Sequence, residues 1–297
     1  MDFIHHMENA VDYLEKNLMG EIDIAEAARI ACCSAYNLQR IFSYLTDVSL
    51  MEYVRKRRLS LAALELQTVK PKITDLALKY GYESPAAFSR AFAQFHGISP
   101  SDAGKPGATV KSYPRISFQL VVKGAYAMNY RLEHKEAFDV FGIETVASLT
   151  EEKAGLTPAE LWRECRKDGR YEKLFSDSGT LPEFLPQDLC KIHGMVNYRN
   201  TGVDTFPYLL FAFRNGDSNI EGYQVVSVPA QTYAVFPSEH FSWDEDFGNV
   251  LETLKRRFYT EWLPSSQYEK AEGPEFEIYG GTTEYGYLEL WFPVVKK

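Results

Sequence analysis

Two stretches of the chain carry, at helical spacing, side chains that can hydrogen-bond to nucleic-acid bases. The candidate residues are Tyr36, Gln39 and Arg40 in the first stretch, and Ala86, Ser89 and Arg90 in the second. An arginine can bond O6 and N7 of a guanine together, and a glutamine can do the same to N6 and N7 of an adenine. The alternative is that Arg40 and Arg90 contact phosphates, because most protein–DNA hydrogen bonds go to the backbone.

A cluster of positive charge lies between the two stretches. Arg55, Lys56, Arg57 and Arg58 are consecutive, and such side chains neutralise DNA phosphates. The alternative is an ordinary solvated helix face. Because the cluster lies between two stretches suited to base contact, we favour phosphate contact, with Arg55 and Arg58 as the candidates.

A different chemistry centres on Glu289. Side chains alternate along a strand, so Tyr287, Glu289 and Trp291 share one face of a predicted strand. A carboxylate removed from water is costly unless it meets a cation or takes up a proton, and aromatic faces attract cations. These residues therefore predict a pocket for an amphipathic or cationic organic molecule. The alternative is a glutamate that faces solvent.

Further aromatic residues of the second half are candidates for the same pocket. They are Trp162, Tyr126, Phe211 and Trp243. Each has a structural alternative, because large aromatic side chains more often belong to a core. The histidines are scattered, and Cys32 and Cys33 are adjacent, without metal-site spacing. We therefore predict no metal, no cofactor and no catalytic residue.

A repeated helix-turn-helix is predicted to hold the first set of side chains. Within residues 73–100, Gly81 suits a sharp turn, and Ser84 followed by Pro85 suits the start of a second helix. The pattern also occurs within residues 24–49. A repeat that preserves cap, core and arginine is far more specific than a single copy.

This region resembles the DNA-binding domain of AraC/XylS-type transcription regulators. The matching motifs are Leu38–Phe42, Tyr53–Leu59, Tyr80–Ser84, Phe88–Phe92 and Gly97–Pro100. The resemblance implies two helix-turn-helix units joined by a long helix, which meet major-groove segments about 34 Å apart. Two positions depart from the family: Cys32 stands where glycine is usual, and Ser101–Lys105 lacks the aromatic-arginine ending.

The charge of the chain is unevenly distributed. The 297 residues carry a net charge of −9, of which residues 1–105 contribute −1 and residues 106–297 contribute −8. Phosphate contact depends on local charge, so a nearly neutral first part is compatible with DNA binding. No apolar run approaches the roughly 18–20 residues that span a membrane, and four cysteines without regular spacing suit a reducing compartment. We expect a cytoplasmic protein with no membrane partner.

The periodicity changes after a Gly- and Pro-rich stretch at residues 104–114. Alternation predicts strands from residue 116 onwards, and helical spacing predicts helices over 157–175 and 243–262. The predicted domains are an N-terminal domain at 1–105, a linker at 106–111 and a second domain at 112–297. The fold class is multidomain: an all-α double helix-turn-helix domain, then an α+β domain of two pseudo-repeated strand-helix-strand-strand units.

The second domain resembles the GyrI-like effector-binding domain of multidrug-sensing regulators. The matching motifs are Arg131–Glu133, Phe138–Gly142, Gln231–Phe236, Trp262–Ser266, Gly273–Glu277 and Glu289–Val294. The resemblance implies that Glu289 lies at the base of an aromatic cleft between the two repeats. In the alignment of the repeats, Leu210 takes the place of Glu289.

These observations predict a transcription regulator that binds double-stranded DNA and a small-molecule effector, with RNA polymerase as a further partner. Two alternatives remain. Some GyrI-like domains hydrolyse small electrophiles, and Glu289 with a nearby tyrosine fits a general base in outline. The second domain is otherwise a module that binds a protein partner.

Overall fold

A computed structural model describes residues 2–118, 127–149, 155–183, 185–186, 188–202, 205–244 and 248–297. The chain divides into two compact units, Met1–Val121 and Val122–Lys297.

The first unit is helical. Its helices are α1 Asp2–Lys16, α2 Ile24–Ile30, α3 Ala35–Thr46, α4 Leu50–Thr68, α5 Ile73–Lys79, α6 Pro85–His96 and α7 Pro100–Ala103. The predicted caps are confirmed at Ser34 and Ser84, whose hydroxyls accept bonds from the third backbone N–H of α3 and α6. The long helix α4 joins the two helix-turn-helix pairs, α2–α3 and α5–α6.

Apolar packing holds the second pair against α4. Phe88 and Phe92 of α6 are fully buried with Leu59 and Leu66 of α4. Gly81 has φ +76, and a Cβ there would lie 2.7 Å from the Arg58 guanidinium. The positive φ of the tight turn therefore favours glycine at this position.

The end of the first unit differs from the predicted linker. The backbone N–H of Lys111 donates to Nδ1 of buried His96, and that of Tyr113 donates to the Ser60 hydroxyl at 2.8 Å. The N–H of Ile116 donates to the Tyr53 hydroxyl. The compact unit therefore continues past residue 111. No strand forms over residues 116–118, where the N–H of Ile116 is bonded to a side chain of the helical domain.

The second unit is built on an antiparallel sheet. Its strands are β1 Arg131–Lys135, β2 Phe138–Ser148, β3 His193–Val196, β4 Thr205–Phe213, β5 Gln224–Val228, β6 Gln231–Pro237, β7 Tyr268–Lys270, β8 Glu275–Gly281 and β9 Gly286–Lys296. The order is β1-β6-β9-β8-β3-β4-β2-β5, and β7 pairs with β9. The order is symmetric about the β3–β8 pair, which confirms the pseudo-repeat.

Helices cover one face of this sheet. They are α8 Pro158–Asp168, α9 Arg170–Asp177, α10 Gly248–Arg257 with the π-helical turn Phe258–Trp262, and α11 Leu263–Ser265. Phe258 stacks on Phe292 of β9 with ring centroids 3.8 Å apart. The predicted helix over 157–175 is broken at Gly169, which has φ +83. The predicted helix over 243–262 begins at Gly248 in the described part of the chain.

Candidate DNA-binding helices and effector cleft

The recognition helix of the second pair presents the predicted polar face. Ala86 and Arg90 are exposed and Ser89 is half-buried, whereas Phe88 and Phe92 face the core. The division into a packed and an open side of α6 is therefore confirmed. Base contact by Arg90 stays a prediction.

The recognition helix of the first pair is packed over a wider arc than its apolar residues indicate. The side chain of Gln39 is 7% exposed, so the expectation that it lies outside is wrong. Gln39 lies about 60° around the helix from buried Phe42, which places it on the packed side. Tyr36 is half-buried, and Arg40 bonds the hydroxyl of Tyr44 while lying over its ring.

Most of the basic cluster on α4 is engaged within the protein. Arg58 donates from Nε to the carbonyl of Leu18 at 2.9 Å and from Nη2 to the carbonyl of Gly20 at 2.5 Å. Burial lowers the pKa of its guanidinium. This geometry favours a structural role for Arg58, which holds the segment after α1, over phosphate contact. Arg57 makes a two-pronged pair with Glu15 at 2.9 and 2.8 Å. Half-buried Arg55 stays the phosphate candidate of this cluster.

The sheet face opposite the helices of the second unit is aromatic. We call it the aromatic face; its central rings are Phe211, Phe213, Tyr233, Phe276 and Trp291. The segment between α9 and β3 packs on it through Leu181, Leu185 and Leu189. Phe211 and Trp291, both predicted to line a pocket, are brought together here and are buried beneath this cover.

Glu289 is largely buried at the side of the aromatic face and already has a cation. Its side chain is 14% exposed, and the two carboxylate oxygens each meet one Nη of Arg131 at 2.8 Å. Trp291 Nε1 donates to the same carboxylate at 3.1 Å. The solvent-facing alternative therefore does not hold. The predicted carboxylate between aromatic rings is present, and the sequence reasoning missed its partner Arg131.

The strand β1 supplies a second cation to this region. Lys135 Nζ lies 4.5 Å from the centre of the Trp291 ring. Glu133, between the two cations in sequence, pairs with both Arg131 and Lys135. Burial opposes the charged form of Arg131, but hydrogen bonds to Glu289 and Glu133 outweigh it and raise the pKa of the guanidinium.

Tyr287 is half-buried and packs against the aromatic cluster. Burial and the neighbouring Asp188 carboxylate raise the pKa of its phenol. At neutral pH, Tyr287 therefore offers a neutral hydroxyl and a ring to the region of Glu289.

Two predicted pocket residues, Trp162 and Trp243, lie elsewhere. Trp162 is on the helix-covered face, where its Nε1 donates to the Tyr208 hydroxyl at 2.7 Å, because α8 packs across that face. Trp243 is in a turn beside Gly286 and donates to the carbonyl of Thr282 at 2.7 Å. Tyr126 lies outside the described residues.

Sequence reasoning also missed a buried charge network on the helix-covered face. Glu277 of β8 pairs with Lys255 of α10 at 2.8 Å and accepts from the hydroxyls of Tyr208 and Tyr279 at 3.2 and 3.1 Å. Burial favours the neutral acid, but Lys255 and the two hydroxyls outweigh it and lower the pKa of Glu277. A Cβ at Gly194 would lie 2.3 Å from the Tyr208 hydroxyl, so glycine is required there.

His193 is the fully buried histidine of the aromatic face. It lies between Phe211 and Phe213, and its Nδ1 accepts from the backbone N–H of Tyr279 at 3.1 Å. Its Nε2 has no hydrogen-bond partner among the described residues. Burial lowers the pKa of His193 to about 3, so the ring is neutral at physiological pH.

Within the described part of the chain, no group of three or more His, Cys, Asp or Glu side chains is arranged to hold a metal. No helix in that part is both long enough and apolar enough to cross a membrane.

Comparison with known proteins matches both units. Residues 131–294 match the family described as integron-associated effector binding protein, and residues 27–105 match a helix-turn-helix domain. SoxS of Salmonella typhimurium is 35% identical over 96 residues, which are 32% of this chain and 90% of SoxS. AarP of Providencia stuartii is 37% identical over 89 residues, which are 30% of this chain and 66% of AarP. These relatives are regulators, which gives the hydrolase alternative no support.

Solved structures resemble the second unit at low sequence identity. SAV2435 bound to tetraphenylphosphonium has a TM-score of 0.43 and 19% identity, over 57% of this chain and 94% of that one. An integron cassette protein of Vibrio cholerae has a TM-score of 0.36 and 14% identity, over 56% of this chain and 95% of that one. The family matches decide the classification: the chain belongs to the AraC-type DNA-binding transcription regulators and carries a GyrI-like effector-binding domain of the integron-associated effector binding protein family.

Proposed function

We propose that the effector is an amphipathic organic cation and that it binds at the aromatic face with its charge on Glu289. One observation carries this proposal: a largely buried carboxylate lies beside the ring of Trp291, at the side of an aromatic cluster. A carboxylate and aromatic rings are the two groups that attract organic cations. Large apolar groups of the effector would gain free energy from burial against the remaining rings.

The proposal requires the cover of the aromatic face to move. Leu185 and Leu189 pack on the rings, and Trp291 is buried beneath them. The segment that carries these leucines contains no helix or strand in its described residues between α9 and β3. An apolar effector replaces the leucine contacts with contacts of its own, so displacement of the cover exchanges one buried apolar surface for another.

DNA contact in the first unit is proposed for the open side of each recognition helix. The proposed residues are Tyr36 and Arg40 on α3, Ala86, Ser89 and Arg90 on α6, and Arg55 on α4. The double helix-turn-helix supports this assignment, because each pair offers one recognition helix to a major groove. We extend the proposal to RNA polymerase as the protein partner of the DNA-bound regulator.

Calorimetric titration of the full chain with tetraphenylphosphonium tests the effector proposal. The probe combines one positive charge with four aromatic rings. We expect Glu289→Gln to weaken binding about tenfold, because the variant removes the carboxylate and leaves the positive charges of Arg131 and Lys135 at the site, where they repel the phosphonium. Glu284→Gln, at an exposed glutamate in the turn before β9, is the matched control and leaves affinity unchanged.

Equal affinity of the native chain and Glu289→Gln would exclude Glu289 as the charge partner. A second outcome is that tetraphenylphosphonium binds neither the native chain nor variants in which Arg131 or Lys135 has lost its charge. That result would exclude a cationic effector and favour a protein-binding role for the second unit.

A further inference from the structure

The strand β1 lies at the edge of the sheet and turns its charged residues to the region of Glu289. It pairs with β6, and β6 pairs with β9. The exposure of β1 alternates, with Arg131, Glu133 and Lys135 half-buried and the residues between them exposed. The alternation places these three side chains on one face, where Arg131 reaches Glu289 and Lys135 reaches Trp291.

We propose that Arg131 and Lys135 are built-in competitors of the effector cation. This inference rests on the proposed function. The guanidinium of Arg131 occupies both oxygens of Glu289, and the ammonium of Lys135 lies over the Trp291 ring. These are the same two interactions that a bound organic cation would make. An effector charge reaches Glu289 when the bond from Arg131 is released.

Glu133 lowers the free energy needed to release Arg131 from Glu289. It already pairs with Arg131 through Nε and with Lys135 through Nζ. When an effector displaces the two cations, both keep a carboxylate partner on their own strand. The side chain of Arg131 is also 40% exposed, so its released Nη groups can exchange Glu289 for water.

The exchange determines which cations the site accepts. The charge of the effector replaces a charge that is already paired, so electrostatic attraction contributes little net affinity. The free energy of binding then comes from apolar surface buried on the aromatic face. Small hydrophilic cations therefore bind weakly, and bulky aromatic cations bind well. Arg131 therefore acts as a specificity-determining residue, because an effector must bury enough apolar area to compensate for the ion pair that it displaces.

Two probes of the same shape and opposite charge test this inference on the full chain: tetraphenylphosphonium and tetraphenylborate. Removal of the competitor, by Arg131→Gln, is expected to tighten phosphonium binding about tenfold and to weaken borate binding. Lys135→Gln gives a smaller change in the same directions. Arg131→Lys keeps the charge but loses the two-pronged bond, so its gain for phosphonium is smaller than that of Arg131→Gln.

The matched control is Arg214→Gln. Arg214 pairs with Asp139, and the two side chains are 44% and 36% exposed, so it removes a comparable ion pair elsewhere in the second unit. We expect unchanged affinity for both probes. This control separates loss of a competitor from a general change of charge.

The outcomes distinguish this inference from the proposed function. Phosphonium binding to the native chain that is unchanged or weakened in Arg131→Gln overturns the competitor role and leaves the cationic effector standing. Binding that appears or tightens in Arg131→Gln and not in Arg214→Gln supports the inference. Failure of phosphonium to bind the native chain, Arg131→Gln and Lys135→Gln overturns both.

Discussion

Glu277 and Glu289 lie on neighbouring strands of one sheet, and each is paired with a cation. On the helix-covered face, Glu277 and Lys255 have side chains that are 9% and 11% exposed, and two tyrosine hydroxyls complete the site. On the aromatic face, the partner of Glu289 is Arg131, which is 40% exposed. The exposure of the cation, more than that of the carboxylate, therefore separates a closed structural pair from one that can exchange its partner.

The first unit shows the same distinction. Arg58 is half-buried and its donors are used by carbonyls at the end of α1, whereas Arg90 is exposed on α6. Enclosed cations hold the fold of each unit, and open cations face the surfaces proposed for DNA and effector.

The largest effect on the unfolding free energy is expected when the buried pair of Lys255 and Glu277 is broken. Lys255→Met leaves the Glu277 carboxylate buried without its cation, and removal of one partner of a buried pair costs about 3–5 kcal/mol of unfolding free energy. Denaturant unfolding followed by tryptophan fluorescence measures it, because all four tryptophans lie in the second unit. The double variant Lys255→Met with Glu277→Gln should recover part of the loss. A loss below about 1 kcal/mol would place this pair with the exposed ones.

The aromatic face also contains a fully buried ionisable side chain, that of His193. The unfolded chain takes up a proton near the ordinary pKa of histidine, about 6.5, while the native pKa is about 3. The stabilising contribution of neutral His193 is therefore complete above pH 6.5 and is lost as the pH falls, by about 1.4 kcal/mol per unit, or about 2 kcal/mol at pH 5.

The same fluorescence assay at pH 7.5 and pH 5.0 measures this dependence. In His193→Gln the drop in unfolding free energy between the two values should be smaller than in the native chain. Exposed His134 is the control, and His134→Gln should follow the native chain. An identical drop in native chain and His193→Gln would show that His193 is not held neutral.

Substitution of an exposed cation such as Arg90 should affect DNA binding more than folding stability. Arg90→Ala is expected to weaken specific DNA binding about tenfold or more, equivalent to about 1.4 kcal/mol, with the unfolding transition unchanged. Mobility shifts on an operator selected from random sequence measure the affinity. Arg58→Ala should show the reverse pattern, a lower unfolding midpoint and little direct effect on DNA affinity at a temperature where the chain stays folded.

The smallest effect on stability is expected when the pair of Arg131 and Glu289 is broken. Arg131 is 40% exposed, and in Arg131→Gln the Glu289 carboxylate keeps the bond from Trp291 Nε1, so we expect a loss of about 1 kcal/mol of unfolding free energy, well below that of Lys255→Met, together with a change in the affinity for organic cations. Comparison of Arg131→Gln with Lys255→Met in one assay measures the difference between the two pairs directly. Equal losses in the two variants would show that the exposure of the cation does not separate the two pairs.

Local signals account for the features that the sequence predicted well. Ser84, Pro85 and Gly81 specify the start of α6 and the turn before it through backbone rules that act within a few residues. Alternation along β9 placed Glu289 and Trp291 on one face. These inferences need only neighbours in sequence. The alignment of the two repeats, which put Leu210 in the place of Glu289, was wrong: Leu210 shares the helix-covered face with Tyr208, whereas Glu289 shares the aromatic face with Trp291.

Features that depend on distant segments were out of reach of the same reasoning. Gln39 is buried because other helices pack around α3 on a wider arc than its apolar residues mark. The sequence by itself determined both families, the recognition helices and the carboxylate at the aromatic face. The tertiary structure alone decided that Arg131 holds Glu289, because the two residues are 158 positions apart and the sheet order brings their strands together.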